Sequence, residues 1–248
     1  KDLAATRLRE GDRVLACEAC ATRAPIVFFT NFGSAYTCRI VDVPASTGYG
    51  EPVQRLFKFR ARERVIAVMS LDARAVGAIT PPGEGEPAPV HALAVTTDGY
   101  ALRFNLDGFL EPSTRAGRRF ARPAGGVEVA GVVRIDGSET IIAVTRAARA
   151  MLCQADEVNL LSGPGKGVIL VKIDPAEDRV LGFIASKGDR DLLTVETSRG
   201  AEQTVSTTKY DVTGRGGKGR ELLQRGQFVR VLHREVVVPA LGGNGDRG

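Results

Sequence analysis

An internal repeat constrains this chain more tightly than anything else in it. Four segments run from apolar residues into a threonine and then, usually, a glycine three residues on. They are Ile26-Val27-Phe28-Phe29-Thr30-Asn31-Phe32-Gly33, Leu93-Ala94-Val95-Thr96-Thr97-Asp98-Gly99, Ile141-Ile142-Ala143-Val144-Thr145-Arg146-Ala147-Ala148 and Leu192-Leu193-Thr194-Val195-Glu196-Thr197-Ser198-Arg199-Gly200. The third carries Ala148 where the others have glycine. Each predicts a hairpin: a buried strand of apolar, often β-branched residues enters a turn that favours glycine, and a second strand leaves it. The threonines at 30, 96, 145 and 197 stand 66, 49 and 52 residues apart. The long first interval is explained by a proline- and glycine-rich run, residues 81–89, which predicts an exposed insertion loop over about 78–90.

A glycine follows each threonine at nearly constant distance, at Gly50, Gly117, Gly165 and Gly217. An extended run then returns, as in Val53 to Phe59 and Val168 to Ile173. A third element pairs an acid with Arg-Val-aliphatic: Asp12-Arg13-Val14-Leu15, Glu63-Arg64-Val65-Ile66 and Asp178-Arg179-Val180-Leu181. Helical periodicity is hard to find. A unit near fifty residues made of about four short strands is the size of a propeller blade, and such a unit must stack on neighbours to bury its apolar faces. The reading is an all-β, propeller-like fold of about four four-stranded blades over residues 12–238. Residues 1–11 are expected to be a linker from a preceding region, and residues 239–248 a flexible tail. The competing architecture is a β-sandwich whose strands resemble one another by accident.

The 248 residues suffice for a real core, and 43% hydrophobic with 25% charged residues excludes a wholly disordered chain. No apolar stretch approaches the eighteen residues of a membrane span, so no membrane partner is expected. The four cysteines do not form the framework of a secreted domain, which predicts a reducing, cytoplasmic setting. Cys17-Glu18-Ala19-Cys20 could supply half of a zinc site, but no second pair stands at ligand spacing, and buried inert thiols are the expectation. His91 and His233 have no Ser, Cys or Asp partner by spacing, so no hydrolytic site is proposed from them.

The net charge is +5, which matters only if it is clustered. In Phe57-Lys58-Phe59-Arg60-Ala61-Arg62-Glu63-Arg64-Val65, strand alternation would put Lys58, Arg60, Arg62 and Arg64 on one face and apolar residues on the other, with Glu63 the exception. Arg115, Arg118, Arg119 and Arg122 cluster around Gly117. The loop Thr213-Gly214-Arg215-Gly216-Gly217-Lys218-Gly219-Arg220 is stripped of side chains except for its cations, and Gly163-Pro164-Gly165-Lys166-Gly167 parallels it one repeat earlier. Neither fits a Walker phosphate loop, which needs a glycine five residues before the Gly-Lys and a Ser or Thr after it. A glycine backbone can nevertheless approach phosphate closely, with the cations displacing counterions.

Arg215-Gly216-Gly217-Lys218-Gly219 resembles the core of the gyrase A box, Gln-Arg-Arg-Gly-Gly-Lys-Gly, of the C-terminal domain of bacterial type IIA topoisomerase A subunits. Phe29 to Tyr36, Thr47 to Val53 and Leu56 to Phe59 resemble the same family, the likeness spanning residues 12 to 235. It implies a β-pinwheel, the propeller variant of that family, which binds double-stranded DNA without sequence preference. It also implies a parent A-subunit dimer working with an ATPase B subunit. Catalytic residues, ATP and Mg²⁺ would then lie elsewhere in the parent enzyme, and this segment would hold no cofactor. Here Thr213 and Gly214 replace the first two box residues, and the box-like loop lies in the last repeat instead of the first. Those departures, with four blades, imply a topoisomerase IV-like enzyme more than a DNA-wrapping gyrase. The DNA contacts expected are Arg215, Gly216, Gly217, Lys218, Gly219 and Arg220, the Lys58, Arg60, Arg62 and Arg64 stripe, the Arg115, Arg118, Arg119 and Arg122 cluster, and Lys166. The rival readings are a propeller that docks a protein on an apolar face, and a propeller enzyme with a site in its central channel.

Overall fold

The computed structural model describes residues 3–84, 86–188 and 190–239. Each Thr-x-x-Gly segment forms the expected hairpin: Pro25–Thr30 with Ser34–Arg39, His91–Thr96 with Tyr100–Asn105, Thr140–Thr145 with Arg149–Gln154, and Leu193–Thr197 with Glu202–Val205. A third strand pairs antiparallel with the first of each hairpin: Val65–Ser70, Val129–Ile135, Val180–Ser186 and Phe228–Leu232. A bulge interrupts each of these pairings at the turn threonine or its partner. Four sheets result, and they are the four blades of the pinwheel.

The fourth strand of a blade comes from the next repeat. Arg118–Arg119 pairs with the second strand of blade 1, Val168–Ile169 with that of blade 2, and Arg220–Glu221 with that of blade 3. Blade 2 adds Leu160–Leu161 in parallel, making five strands, and blade 4 has three among the described residues. The expectation of four strands per blade therefore holds for blades 1 and 3 alone.

In the first three repeats the turn after the threonine is the point of exchange. In all four the backbone turns through a left-handed residue, at φ 77° for Gly33, 86° for Gly99, 58° for Ala148 and 78° for Gly200. The carbonyl of Gly33 accepts from the backbone N–H of Phe120, that of Gly99 from Leu170, and that of Ala148 from Leu222. The residue directly after the threonine reaches inward in the same way. The Asn31, Thr97 and Arg146 carbonyls accept from the N–H of Val129, Val180 and Phe228, which open the third strand of the following blade.

This alignment corrects the glycine register expected from spacing. The equivalent glycines are Gly117, Gly167 and Gly219, two residues beyond Gly165 and Gly217, and all three have positive φ. A Cβ at Gly167 would come within 2.1 Å of the Ala101 carbonyl oxygen, and one at Gly219 within 2.8 Å of that of Ala150. The first-repeat counterpart by register, Val53, begins a short 3₁₀ turn, Val53–Arg55, in place of the expected extended run. The Asp12 to Leu15 copy of the acid-Arg-Val element forms no strand, whereas the copies at Glu63 and Asp178 lead into third strands.

Three apolar cores lie between the blades, and a fourth, around Ile26, Tyr36, Cys38 and Phe57, lies against blade 1. Phe29 and Leu102 meet across blades 1 and 2, Leu93 and Ile141 across blades 2 and 3, and Ile142 and Leu193 across blades 3 and 4. The first of these is aromatic: Phe29 stands 5.0 Å from Phe120, 5.8 Å from Phe104 and 5.9 Å from Phe109, all edge-on. Third strands approach closely through glycine. A Cβ at Gly131 would lie 2.9 Å from the Phe183 ring, and one at Gly182 2.8 Å from Val231.

The insertion is largely exposed as expected, though a short helix, Ala73–Val76, precedes it and Ala88 is buried within it. His91 is fully buried beside it. The Ala88 carbonyl can only accept, so His91 Nδ1 donates to it at 2.8 Å, and Nε2 faces the Arg103 guanidinium at 3.3 Å as an acceptor. Arg103 in turn donates to the carbonyls of Val158 and Asp156, tying blade 2 to repeat three. The tail assigned to residues 239–248 lies outside the described residues apart from Pro239, as do the first two residues of the linker assigned to 1–11.

Two outcomes are expected. Gly99 has φ 86°, and a Cβ there would stand 2.2 Å from the Val171 carbonyl oxygen. Gly99→Ala should therefore lose about 2 to 5 kcal/mol of unfolding free energy in urea, from left-handed strain plus overpacking. Burial, with the Arg103 cation adding to it, pushes the His91 imidazole below its ordinary value. The unfolded chain then binds this proton more readily, so the stabilisation is complete above about pH 6.5 and is lost as pH falls through it. Unfolding free energy should drop by up to about 1.4 kcal/mol per pH unit below that point, and His91→Gln should flatten the slope.

Candidate nucleic-acid interface

Lys58 to Arg64 is a loop and tight turn, not the strand expected from alternation. Arg62 stands at φ 64° within it. Ala61 is exposed and Glu63 is buried, so the apparent exception anchors the segment. Glu63 Oε1 accepts from Thr30 Oγ1 at 2.8 Å and Tyr36 Oη at 3.1 Å, while Oε2 accepts from the Arg60 backbone N–H at 2.9 Å. Burial and the Glu63 carboxylate push the Tyr36 phenol up to about 12, which keeps it a hydrogen-bond donor. Tyr36 also stacks at 5.1 Å from Phe57 and 4.9 Å from Phe59. The turn is thereby clamped to blade 1 with its cations facing outward.

Strand exchange brings the second cluster to the same place. The Lys58 N–H donates to the Arg115 carbonyl at 2.7 Å. Lys58, Arg60, Arg118 and Arg119 line one shallow cleft of about 400 Å³, floored by Tyr36 and Gly117. Arg60, Arg62 and Arg119 line a second beside it, and Lys58 and Arg115 a third. Arg60 lies over the Phe32 ring at 4.8 Å. Arg118 donates to the Gly108 carbonyl. Arg64 is committed to Glu128 through both terminal guanidinium nitrogens, at 2.5 and 3.3 Å.

The same step recurs on later blades. The Arg122 N–H donates to Gly165 O at 2.8 Å and the Lys172 N–H to Gly217 O at 2.7 Å, as Lys58 does to Arg115. Lys58, Arg122 and Lys172 are thus equivalent and exposed, and Gln224 falls at the fourth position by register. Sequence reasoning missed Lys172; aligning the repeats on Gly167 and Gly219 would have placed it beside Arg122. The side chains of Lys58, Arg62, Arg115, Arg119, Arg122, Lys172 and Lys218 make no hydrogen bond or ion pair among the described residues.

The box-like loop is less free. Arg215 Nε donates to the Glu157 carbonyl at 2.7 Å and Nη1 to that of Ile169 at 3.2 Å, so the guanidinium stitches this loop to the preceding repeat. Arg220 lies over Tyr210 at 5.6 Å. Lys166 sits 3.7 Å from the Tyr100 ring centre and 3.6 Å from Asp98. Gly216 and Gly217 are exposed, with Lys218 between them and Gly219. Cys17 and Cys20 line a separate cleft with Asp72 and Arg134. Burial raises the thiol pKa of Cys20, as it does for Cys38, to about 11, and Cys153, to about 12. Among the described residues no helix is long and apolar enough to cross a membrane.

Three stretches, residues 24–72, 91–136 and 139–187, match the family described as the DNA gyrase C-terminal domain, beta-propeller, and together they cover more than half the chain. The chain belongs to that family. The DNA gyrase A protein of Mycolicibacterium smegmatis is 28% identical over 253 residues, covering 91% of this chain, and that of Aminobacterium colombiense is 28% identical over 219, covering 86%. The chain spans about a quarter of the length of these relatives, 26% and 24% respectively. Among solved structures, the C-terminal domain of DNA topoisomerase IV superposes with a TM-score of 0.78 at 16% identity, over 92% of this chain and 69% of that one. The E. coli ParC C-terminal domain gives 0.69 at 19%, over 94% of this chain and 90% of that one. These likenesses establish the β-pinwheel fold of the gyrase A family domain.

Glu63→Gln should retain the hydrogen-bond shape but lose the charge that Arg60 and the surrounding donors address. A loss of about 1 to 3 kcal/mol in denaturant unfolding is expected, with the near-ultraviolet signal of Tyr36 altered.

Proposed function

We propose that this domain binds duplex DNA along its blade edges through phosphate contacts, as the C-terminal domain of a type II topoisomerase A protein. The observation that carries this is the convergence of Lys58, Arg60, Arg62, Arg115 and Arg119 on adjoining clefts, fed by two stretches of sequence more than fifty residues apart. A core-facing acid, Glu63, holds the turn, and of those five cations Arg60 alone forms an ion pair among the described residues. Water-exposed, unpaired cations on a rigid backbone are what counterion release from a polyanion requires. Exposed phosphates offer no base identity, so the binding is independent of sequence.

Equivalent cations at Lys58, Arg122 and Lys172 continue the contact from blade to blade. A duplex that follows them must curve with the array, so binding and bending are coupled in this reading. Arg215 is bonded to two carbonyls, and the box-like loop offers Lys218 as its free cation. That favours presentation of bent DNA, in the manner of a topoisomerase IV-like enzyme, over strong wrapping. The parent would be a cytoplasmic A-subunit dimer working with an ATPase B subunit, its ATP, Mg²⁺ and cleavage chemistry outside this segment.

Titration of a short labelled duplex at several salt concentrations tests the reading. The salt slope should fall by about 0.9 for each phosphate contact removed. Lys58→Ala with Arg119→Ala should lower it by about 2 and weaken unrelated sequences alike. Arg215→Ala should act mainly on thermal stability. An unchanged slope in the Lys58, Arg119 variant would remove the basis for DNA contact here.

A further inference from the structure

The insertion, residues 78–90, has no counterpart in the other repeats, and it does not project away from the basic clefts. Pro82, Gly83 and Glu86 line one wall of a cleft of about 640 Å³ whose other wall includes Arg118 and Arg119. Arg119 is shared between this cleft and both neighbouring ones, and Arg118 is held by the Gly108 carbonyl that lines it too. The loop is rooted, since the Ala88 N–H donates to Asn105 Oδ1 at 2.9 Å and the Ala88 carbonyl accepts from the buried His91. It carries Glu84 and Glu86 and no cation. Glu86 and Arg119 form no direct ion pair, so their interaction is through space. Charges that face a common cleft through water interact by less than about 1 kcal/mol at low salt and lose most of that at high salt.

From this arrangement we infer that the insertion is a built-in electrostatic competitor, whose carboxylates weaken the binding of polyanion phosphates at Arg118 and Arg119. The inference rests on the DNA-binding reading above and adds a regulation to that same surface. The loop lowers affinity where blades 1 and 2 meet and leaves Arg122 and Lys172 untouched. It lines the cleft without filling it, and the contacts of Ala88 root it near its C-terminal end.

The test compares the full chain with its Glu84→Gln, Glu86→Gln form, using a short fluorescent duplex at two salt concentrations. The variant should bind about two- to fivefold tighter at low salt, with the difference shrinking toward none at high salt. In an Arg118→Ala, Arg119→Ala background the same two substitutions should change affinity little. A parent that binds DNA and a variant with unchanged affinity would overturn the competitor while leaving DNA binding intact. A gain that persists without Arg118 and Arg119 would overturn it as well, since the effect would then come from net charge alone. Absence of salt-dependent binding in every form would overturn the DNA-binding reading, and the competitor with it. Far-ultraviolet circular dichroism and thermal melting of each variant would exclude unfolding as the source of any loss.

Discussion

The rest of the structure depends on a loan of backbone hydrogen bonds. Each of the first three hairpin turns leaves carbonyls that its own repeat cannot use, at Gly33, Gly99 and Ala148, and the following repeat supplies the N–H. A buried carbonyl without a donor costs about 1 to 3 kcal/mol, so none of the first three repeats is satisfied alone. The same turns hand a second carbonyl, at Asn31, Thr97 or Arg146, to the third strand of the next blade. Packing follows the bonding: three of the four apolar clusters draw on two adjacent blades, and the fourth, around Tyr36 and Phe57, belongs to blade 1. Blade order, core and exchange are therefore one constraint, and the array is expected to open cooperatively between neighbours.

That constraint also decides where charge can meet. The exchanged segment crosses from one blade to the previous one just after a glycine in the left-handed region, so the residues flanking it are delivered to a neighbour's edge. Arg115, Arg118 and Arg119 thus reach the turn that carries Lys58 and Arg60, although both clusters look like separate, ordinary polar faces along the chain. Fold and interface are linked through Gly117, where a Cβ would meet the Tyr36 ring at 2.7 Å and the Ala35 carbonyl oxygen at 2.8 Å. Tyr36 in turn holds Glu63, which holds the Arg60 turn.

Much of this was legible in the order of residues, and what was not has physical causes. The hairpins and their interval were readable because an apolar run ending in Thr-x-x-Gly has few other uses. The exchange register was misread by two residues because Gly163-Pro164-Gly165-Lys166-Gly167 and Gly214 to Gly219 offer several glycines at nearly the right spacing. Conformation chooses among them: Gly165 has no left-handed backbone, whereas Gly167 does. The Phe57 to Val65 stretch imitated a strand because cations and apolar residues alternate along it, although the turn exposes Arg60, Ala61 and Arg62 in succession. Its signature was Glu63, an acid among apolar positions, which burial explains through three donors and not through solvent.

The box-like loop shows how a motif can keep its residues and change its work. A guanidinium has five N–H donors and no acceptor, so between two backbone carbonyls it bonds them before it reaches for solvent. Arg215 is in that position, between Glu157 and Ile169, because Thr213 and Gly214 draw the loop onto the Leu152 carbonyl. A fixed arginine of this kind ties repeat four to repeat three, and in the proposed DNA-binding reading the phosphate attraction falls to side chains with nothing else to bind. By that criterion the free cations concentrate at blades 1 and 2, where Lys58, Arg62, Arg115 and Arg119 make no hydrogen bond or ion pair among the described residues, and thin along Arg122, Lys172 and Lys218 to Gln224. In the proposed DNA-binding reading, a duplex would be gripped at one end of the array and guided along the remainder.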